Sequence, residues 1–561
     1  MTEFARRESA DTRPSEVGQE SAVTTNECTI VAGGVRRTGR LGAYRRLTRG
    51  PGEARIVRNE HGERSALSSR AESLLRLVHF SDFQLADVQS PGRFEFFEVL
   101  RGSAGSETFV PAQRAQEAVA AHAVEAMTRT LRGLRESPDT GARLGLALAT
   151  GDSIDNAQAN ELAMFIALLS GGVVHPNSGG RIFEGVQART WENPIFWHPD
   201  PGSDSFKEDW GFPEHVGLLD EAMTPFSAQG VGVPWLSCFG NHDGLALGTA
   251  ITTPAYRELA VGDAKAIGPP PIADLLNKEQ ELISHPERFL SGAARRVTAD
   301  QARRVIGRAE FVAAHLASSG LPRGHGFSES NLAEATAYAV YDDCEAIRIV
   351  LLDSTNLDGY HHGSIGRRQM RWLEERLVEV HSRFLSPGGA EVSTSNPDRL
   401  VVLASHHGLA TLTNRRQDPA GAEEDQPRAT VDEVRALLHR FSNVVLWLNG
   451  HRHRNEVTFW PSPYRAESGI WEVSTGSMAD WPCQARIVEL VVGEEGALSV
   501  VSTMVDHLGP PDPEQARGLE RLASLHRELA ANAPGAGLDS TQRGRPQDRN
   551  VELIMKMPFA R

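Results

Sequence analysis

Short apolar blocks, separated by amphipathic and polar stretches, run through most of the chain. Residues 74–80, 144–150, 234–239, 347–353, 400–404 and 444–448 are dominated by Leu, Val, Ala, Ile, Trp or Phe. Nearly uninterrupted apolar character over so few residues is the pattern of strands covered on both faces. Residues 112–135, 160–169, 299–318 and 367–380 instead repeat apolar positions at helical spacing. Short buried strands alternating with helices predict an α/β protein. Residues 337–341 add a further strand. Residues 457–459, 470–473, 485–492 and 498–505 alternate apolar and polar positions and are expected to form a β-meander. A charged helix is expected over 513–531.

Composition changes along the chain suggest its organisation. Residues 1–26 are polar, rich in Ser, Thr and Glu, and predicted to be disordered. Residues 27–73 mix short apolar pieces with Gly and Arg and read as an N-terminal arm or small β element. The main domain is expected over 74–508. Within it, stretches at about 157–233 and 244–335 read as insertions that cap a site, because irregular segments of such length usually serve function. Residues 509–561 read as a C-terminal helix and tail.

The formal net charge of −15 over 561 residues argues against general affinity for nucleic acid or an anionic membrane. No apolar run reaches the ~18 residues of a membrane span. Arg6-Arg7 is followed by Glu8, Asp11 and Glu16 rather than an apolar run, so no export signal is read and a cytoplasmic location is expected. Cys28, Cys238, Cys344 and Cys483 are widely spaced and form no CxxC pair, which suggests a reducing compartment without structural zinc. No signal for an oligomeric state is apparent.

Five apolar blocks end in metal-ligand residue types. They are Ser81-Asp82-Phe83-Gln84, Gly151-Asp152-Ser153-Ile154-Asp155-Asn156, Gly240-Asn241-His242-Asp243, Ser405-His406-His407-Gly408 and Gly450-His451-Arg452-His453. Open α/β sheets place their sites at the C-terminal ends of strands. Any one of these motifs is weak alone; the ordered set is specific. Two divalent ions about 3.5–4 Å apart can polarise a phosphoryl oxygen and steady a leaving oxygen, and they need a bridging carboxylate with further imidazole, amide or carboxylate ligands.

In this order, the motifs resemble the calcineurin-like metallophosphoesterases over about residues 76–505. Leu352-Asp353-Ser354, continuing through Gly363 to Gln369-Met370-Arg371-Trp372-Leu373, is similar to a segment of bacterial phosphodiesterase-like members. Segments 81–93 and 475–488 look like an uncharacterised actinobacterial branch with long insertions. The resemblance implies a four-layer α/β/β/α sandwich of two mixed β-sheets. It implies a phosphomonoesterase or phosphodiesterase with a dinuclear centre of Mn, Fe, Mg or Zn, a phosphorylated small-molecule substrate, and attack by a metal-bound hydroxide. Asp82 and His453 would bind the first metal, Asp152 would bridge, and Asn241, His406 and His451 would bind the second, with His407 the second choice to His406. His242 would act on the substrate and Asp243 would orient it. Gln84 stands where the family has His; as an amide ligand it would loosen the first site and tilt it toward Mn, Mg or Fe. The alternative readings are a catalytically weak binding or scaffold protein, for which Gln84 is the support, and a hydrolase of nucleotide or pyrophosphate linkages. His79 reads as a packed strand residue, Asp155 and Asn156 as hydrogen-bond partners or loop caps, and His361-His362 as a substrate-side or surface loop. The aromatics Trp191, Phe196, Trp197 and Trp210 fit a site wall or ordinary packing.

Overall fold

The computed structural model describes residues 24–60, 71–103, 106, 109–268, 270, 275–417, 425–466, 468–493 and 497–560. Of the segment expected to be disordered, residues 1–23 lie outside this set. The chain is mixed α/β with two large mixed sheets. The first has seven strands in the order Ile56–Arg58, Val551–Lys556, Ala497–Asp506, Gln484–Val492, Glu72–Phe80, Leu146–Ala149, Trp235–Ser237. The last three run parallel, and Gln484–Val492 runs antiparallel to Glu72–Phe80. The second has six, in the order Ala339–Cys344, Ile347–Leu351, Leu400–Ala404, Val444–Asn449, Gly469–Ser474, Glu456–Pro461. Its four central strands are parallel, flanked by an antiparallel strand at each edge.

The two-residue period of the strands sorts their side chains between two apolar layers. Leu77, Leu148, Leu236, Leu490 and Leu553 of the first sheet share one buried cluster with Ile349, Leu351, Val402, Leu446 and Trp471 of the second. On the opposite pleat, Val78, Phe80, Ala147 and Ala149 pack with Val124, Phe165 and Phe311 from the helices Ala120–Arg132, Ala159–Ser170 and Arg308–Ala317. The far face of the second sheet packs Val401 and Leu403 against Leu373, Leu377 and Val434 of the helices Arg367–Val378 and Val431–Leu438. The apolar blocks are therefore covered on both faces, as their composition requires.

Register brings the chemistry to one side. Phe80 pairs with Ala149 and Ala149 with Ser237, while Leu351 pairs with Ala404 and Ala404 with Leu448. The three motif-bearing strands of the first sheet are adjacent and end level. So do the two of the second.

The structure departs from the sequence expectations in three places. The four alternating segments after residue 456 form no single meander, because two join the second sheet and two the first. Alternation identifies a strand but not its partner. The tail is structural: Val551–Lys556 is an interior strand, antiparallel to Ala497–Asp506 and parallel to Ile56–Arg58. The expected second insertion also contributes core, since Phe311, Val312 and Leu316 cover the first sheet. The aromatics of the first insertion largely pack, with Trp197, Phe206 and Phe212 meeting Tyr44 of the arm and Leu522 and Leu525 of the helix Gly518–Ala531.

Leu553 is fully buried in the cluster between the sheets. Truncating such a side chain costs about 2–5 kcal/mol. We expect Leu553→Ala to lower the urea midpoint accordingly, and a variant unchanged in urea would show that the last strand contributes little.

Candidate metal centre

Three of the five motifs leave their strands through turns that an ordinary residue rarely adopts. Asp82, Gln84, Asp152, His451 and His453 have positive φ values of 52°, 41°, 50°, 68° and 48°. Left-handed backbone at a non-glycine residue costs about 1–3 kcal/mol and persists where the surroundings enforce it. Enforcement comes from the neighbouring loops. Asp82 N–H donates to the Gly151 carbonyl at 3.1 Å, and Gln84 N–H to the Asp152 carbonyl at 2.9 Å. Gly450 allows a close approach between the loops of the two sheets: a Cβ there would lie 1.9 Å from Ser81 Oγ and 2.4 Å from Asp82 Oδ2.

The turns bring two buried carboxylates and several imidazoles together. Ligand atoms of Asp82, Asp152 and His406 lie within 4.8 Å of one another, as do those of His406, His407 and His451. These buried groups could hold a metal ion. His406 Nε2 is 3.1 Å from Asp152 Oδ2, and His453 Nε2 is 3.3 Å from Asp82 Oδ1. The His451 N–H donates to Asp82 at 3.0 Å, and the His242 N–H donates to Asp152 Oδ1 at 2.9 Å.

Three buried atoms in this group have no hydrogen-bond partner: Gln84 Oε1, Asn241 Oδ1 and His406 Nε2. A buried polar atom left unsatisfied costs about 1–3 kcal/mol, so three at one place require an explanation. Their orientations are set from behind. Asn241 Nδ2 donates to the Gly248 carbonyl at 2.9 Å, leaving Oδ1 as a bare acceptor. His406 Nδ1 is 2.9 Å from the Thr150 carbonyl, which can only accept, so Nδ1 carries a proton and Nε2 is the nitrogen left to face the carboxylates and an incoming ion. Bound cations would satisfy such atoms, and the set of two carboxylates, amide oxygens and imidazoles suits divalent ions.

His407 differs from its neighbour. Its Nε2 donates to the His361 carbonyl at 2.8 Å and its Nδ1 meets Ser354 Oγ at 2.9 Å. Both ring nitrogens are occupied, which leaves His406 as the available ligand of the pair. His79 is held by Thr150 and Thr475 on its two nitrogens and is a packed strand residue.

One expected role needs correction. Asp243 does not brace the His242 ring; its carboxylate accepts the backbone N–H groups of Ser153, Ile154 and Gly240 at 2.9, 3.2 and 2.8 Å. It locks the Asp152 turn to the Asn241 turn. The ring is braced by Asp155, whose carbonyl accepts from His242 Nδ1 at 2.8 Å and whose Oδ1 lies 3.4 Å away. The physical reason is the direction of the turn, which sends the Asp243 side chain back under the strand ends. Burial lowers the proton affinity of His242, but Asp152 and Asp155 outweigh it, so its pKa stands above that of a free imidazole.

Sequence reasoning missed a buried carboxylate. Asp480 Oδ2 accepts from His453 Nδ1 at 2.6 Å, and Arg114 Nε donates to Asp480 Oδ1 at 2.9 Å. Asp480 follows Gly469–Ser474, a strand parallel to the motif strands. The strand-end rule would have found it had that segment been paired correctly. Asp155 is held in the same manner by Arg93, Nη1 to Oδ2 at 2.9 Å, and Arg93 also meets Glu117 at 2.8 Å and Glu95 at 3.1 Å. Arg93 and Arg114 thus support the two sides of the centre, and nothing in the motif pattern singled them out.

No protein-family profile matches this chain, and no curated protein matches its sequence.

Two predictions follow from this geometry. Asp480 orients and charges His453, so Asp480→Asn is expected to weaken ion binding by about 10–100-fold in a metal titration; unaltered affinity would remove Asp480 from the support. In the ion-free protein, burial disfavours the imidazolium forms of His406 and His453. Asp152 holds His406 up to about 9, and Asp82 with Asp480 holds His453 up to about 10. Ions must displace these protons, so affinity should rise with pH up to that range and protons should be released at neutral pH. Calorimetry in buffers of different ionisation enthalpy reads the release, and proton-neutral binding would contradict it.

Proposed function

We propose that the chain is a metal-dependent phosphoric ester hydrolase of the calcineurin-like metallophosphoesterase type, built as a four-layer α/β/β/α sandwich. The observation that carries this reading is the group of orphaned ligand atoms, Gln84 Oε1, Asn241 Oδ1 and His406 Nε2, around the buried carboxylates of Asp82 and Asp152. The single apolar cluster between the sheets, with helices packed on both outer faces, supports the sandwich. On this reading Asp82, Gln84 and His453 would hold one ion and Asn241, His406 and His451 a second, with Asp152 available to both. Bound divalent ions supply Lewis-acid polarisation of a phosphoryl oxygen and a nucleophile at neutral pH.

The remaining roles belong to the chain. Two carboxylates facing two divalent ions leave net positive charge, which selects an anionic substrate. His242 gives its Nδ1 proton to a hydrogen bond with the Asp155 carbonyl, so Nε2 is the atom that exchanges protons with the leaving oxygen. Gln84 counts as a ligand here because its buried oxygen has no other partner, which weighs against a decayed first site.

The test is metal content and hydrolysis of a chromogenic phosphodiester and monoester by purified protein, with and without Mn. Asp152→Asn should lose bound metal and turnover together. His242→Ala should keep its metal and lose about 10²–10⁴-fold in turnover. Folded wild-type protein that binds no divalent ion and hydrolyses neither ester would refute the proposal.

A further inference from the structure

The segment Gly359-Tyr360-His361-His362-Gly363 lies against the centre but supplies none of its ligands. Tyr360 has φ 77°, left-handed backbone at an aromatic residue, which is a genuine outlier. The segment is held from several sides. Tyr360 N–H donates to the Thr249 carbonyl at 2.7 Å, beside Gly248, whose carbonyl anchors Asn241. Asn414 Nδ2 donates to the carbonyls of Gly359 and His362, both at 2.9 Å. His407 Nε2 donates to the His361 carbonyl at 2.8 Å. The second histidine of the His406-His407 pair therefore serves the loop.

The loop presents three rings to the centre. The His361 and His362 rings lie 6.1 and 6.0 Å from that of His451, and 4.6 Å from each other. Tyr360 lies 4.3 and 5.2 Å from them. All three side chains are half-buried. His362 Nδ1 meets Thr413 Oγ1 at 2.6 Å, while among the described residues none hydrogen-bonds the His361 ring. This wall offers flat apolar faces and imidazole hydrogen bonds, and none of its three side chains is an Arg or Lys. The guanidinium of Arg452, next to His451 in sequence, is bound to Glu456 at 2.6 Å, and Arg416 donates to the Asp358 carbonyl and to Gln280.

Resting on the phosphoesterase reading above, we propose that Tyr360, His361 and His362 form the substrate-binding wall of the centre and select phosphodiesters over phosphomonoesters. A monoester dianion carries a second negative charge that sites commonly meet with Arg or Lys. A diester carries one charge and a second organic arm, which suits a wall of rings and imidazole donors. His407 acts here as a positioning residue.

The test compares kcat/KM for bis(p-nitrophenyl) phosphate and p-nitrophenyl phosphate in the full-length, Mn-loaded protein. The wild type should favour the diester by about 10-fold or more, the worth of roughly one good hydrogen bond. The His361→Ala/His362→Ala variant should lose about that factor on the diester, mainly through KM, with metal content unchanged. His361→Asn, which keeps a donor and is the milder change for folding, should recover part of it. A wild type that prefers the monoester, or a diester KM unmoved by either variant with metal in place, would overturn the inference. Absence of metal-dependent turnover of both esters in the wild type would instead overturn the phosphoesterase reading and this inference with it.

Discussion

The constraint on which the structure turns is the burial of Asp82 and Asp152 between two sheets. Both carboxylates are withdrawn from water at the strand ends, where an isolated ionised group would be very costly. Everything around them compensates. Backbone N–H groups of His242 and His451 point at them, and imidazoles of His406 and His453 close on them. Two arginines further back fix the carboxylates of Asp155 and Asp480, which in turn hold His242 and His453. Such a nest is expensive as a purely structural device. Replacing buried ion pairs with apolar residues is often neutral or stabilising, whereas this group is one that could hold a metal ion.

The backbone is consistent with that view. Five of the seven candidate ligand residues adopt left-handed φ, and those turns hold because the opposing loops are hydrogen-bonded to each other. The left-handed ligand turns lie at the strand ends, while the layers on either side of the sheets are ordinary apolar packing. The sheets thus act as rigid mounts, and the loops carry the precision.

How much of this was legible depends on the range of the signal. The buried strands at 144–150 and 444–448 were readable because a block covered on both faces has a composition of its own. The ligand motifs were readable because each sits immediately after such a block. What escaped was pairing at a distance. Gly469–Ser474 looked like one strand of a meander, and so Asp480 was passed over, although it lies in the loop after a strand parallel to Val444–Asn449. Asp243 and Asp155 are separated by the turn geometry that sends one under the strands and the other to the ring, and a linear motif does not encode that direction. Arg93 and Arg114 act through contacts with Asp155 and Asp480, so no local pattern marks them.

The first sheet places Gln484–Val492 directly beside Glu72–Phe80, and the loop carrying Asp480 lies just before it. This has a consequence for biosynthesis. A nascent chain arrested near residue 460 already contains all five motifs, yet the ribosome has not released the strand that flanks the first of them or the carboxylate that steadies His453. Up to that point the Asp82 turn has one open side. The centre can close only late in translation, so, on the proposed reading, metal delivered to the growing chain would meet ligands without a cage, and ion loading would follow closure of the first sheet.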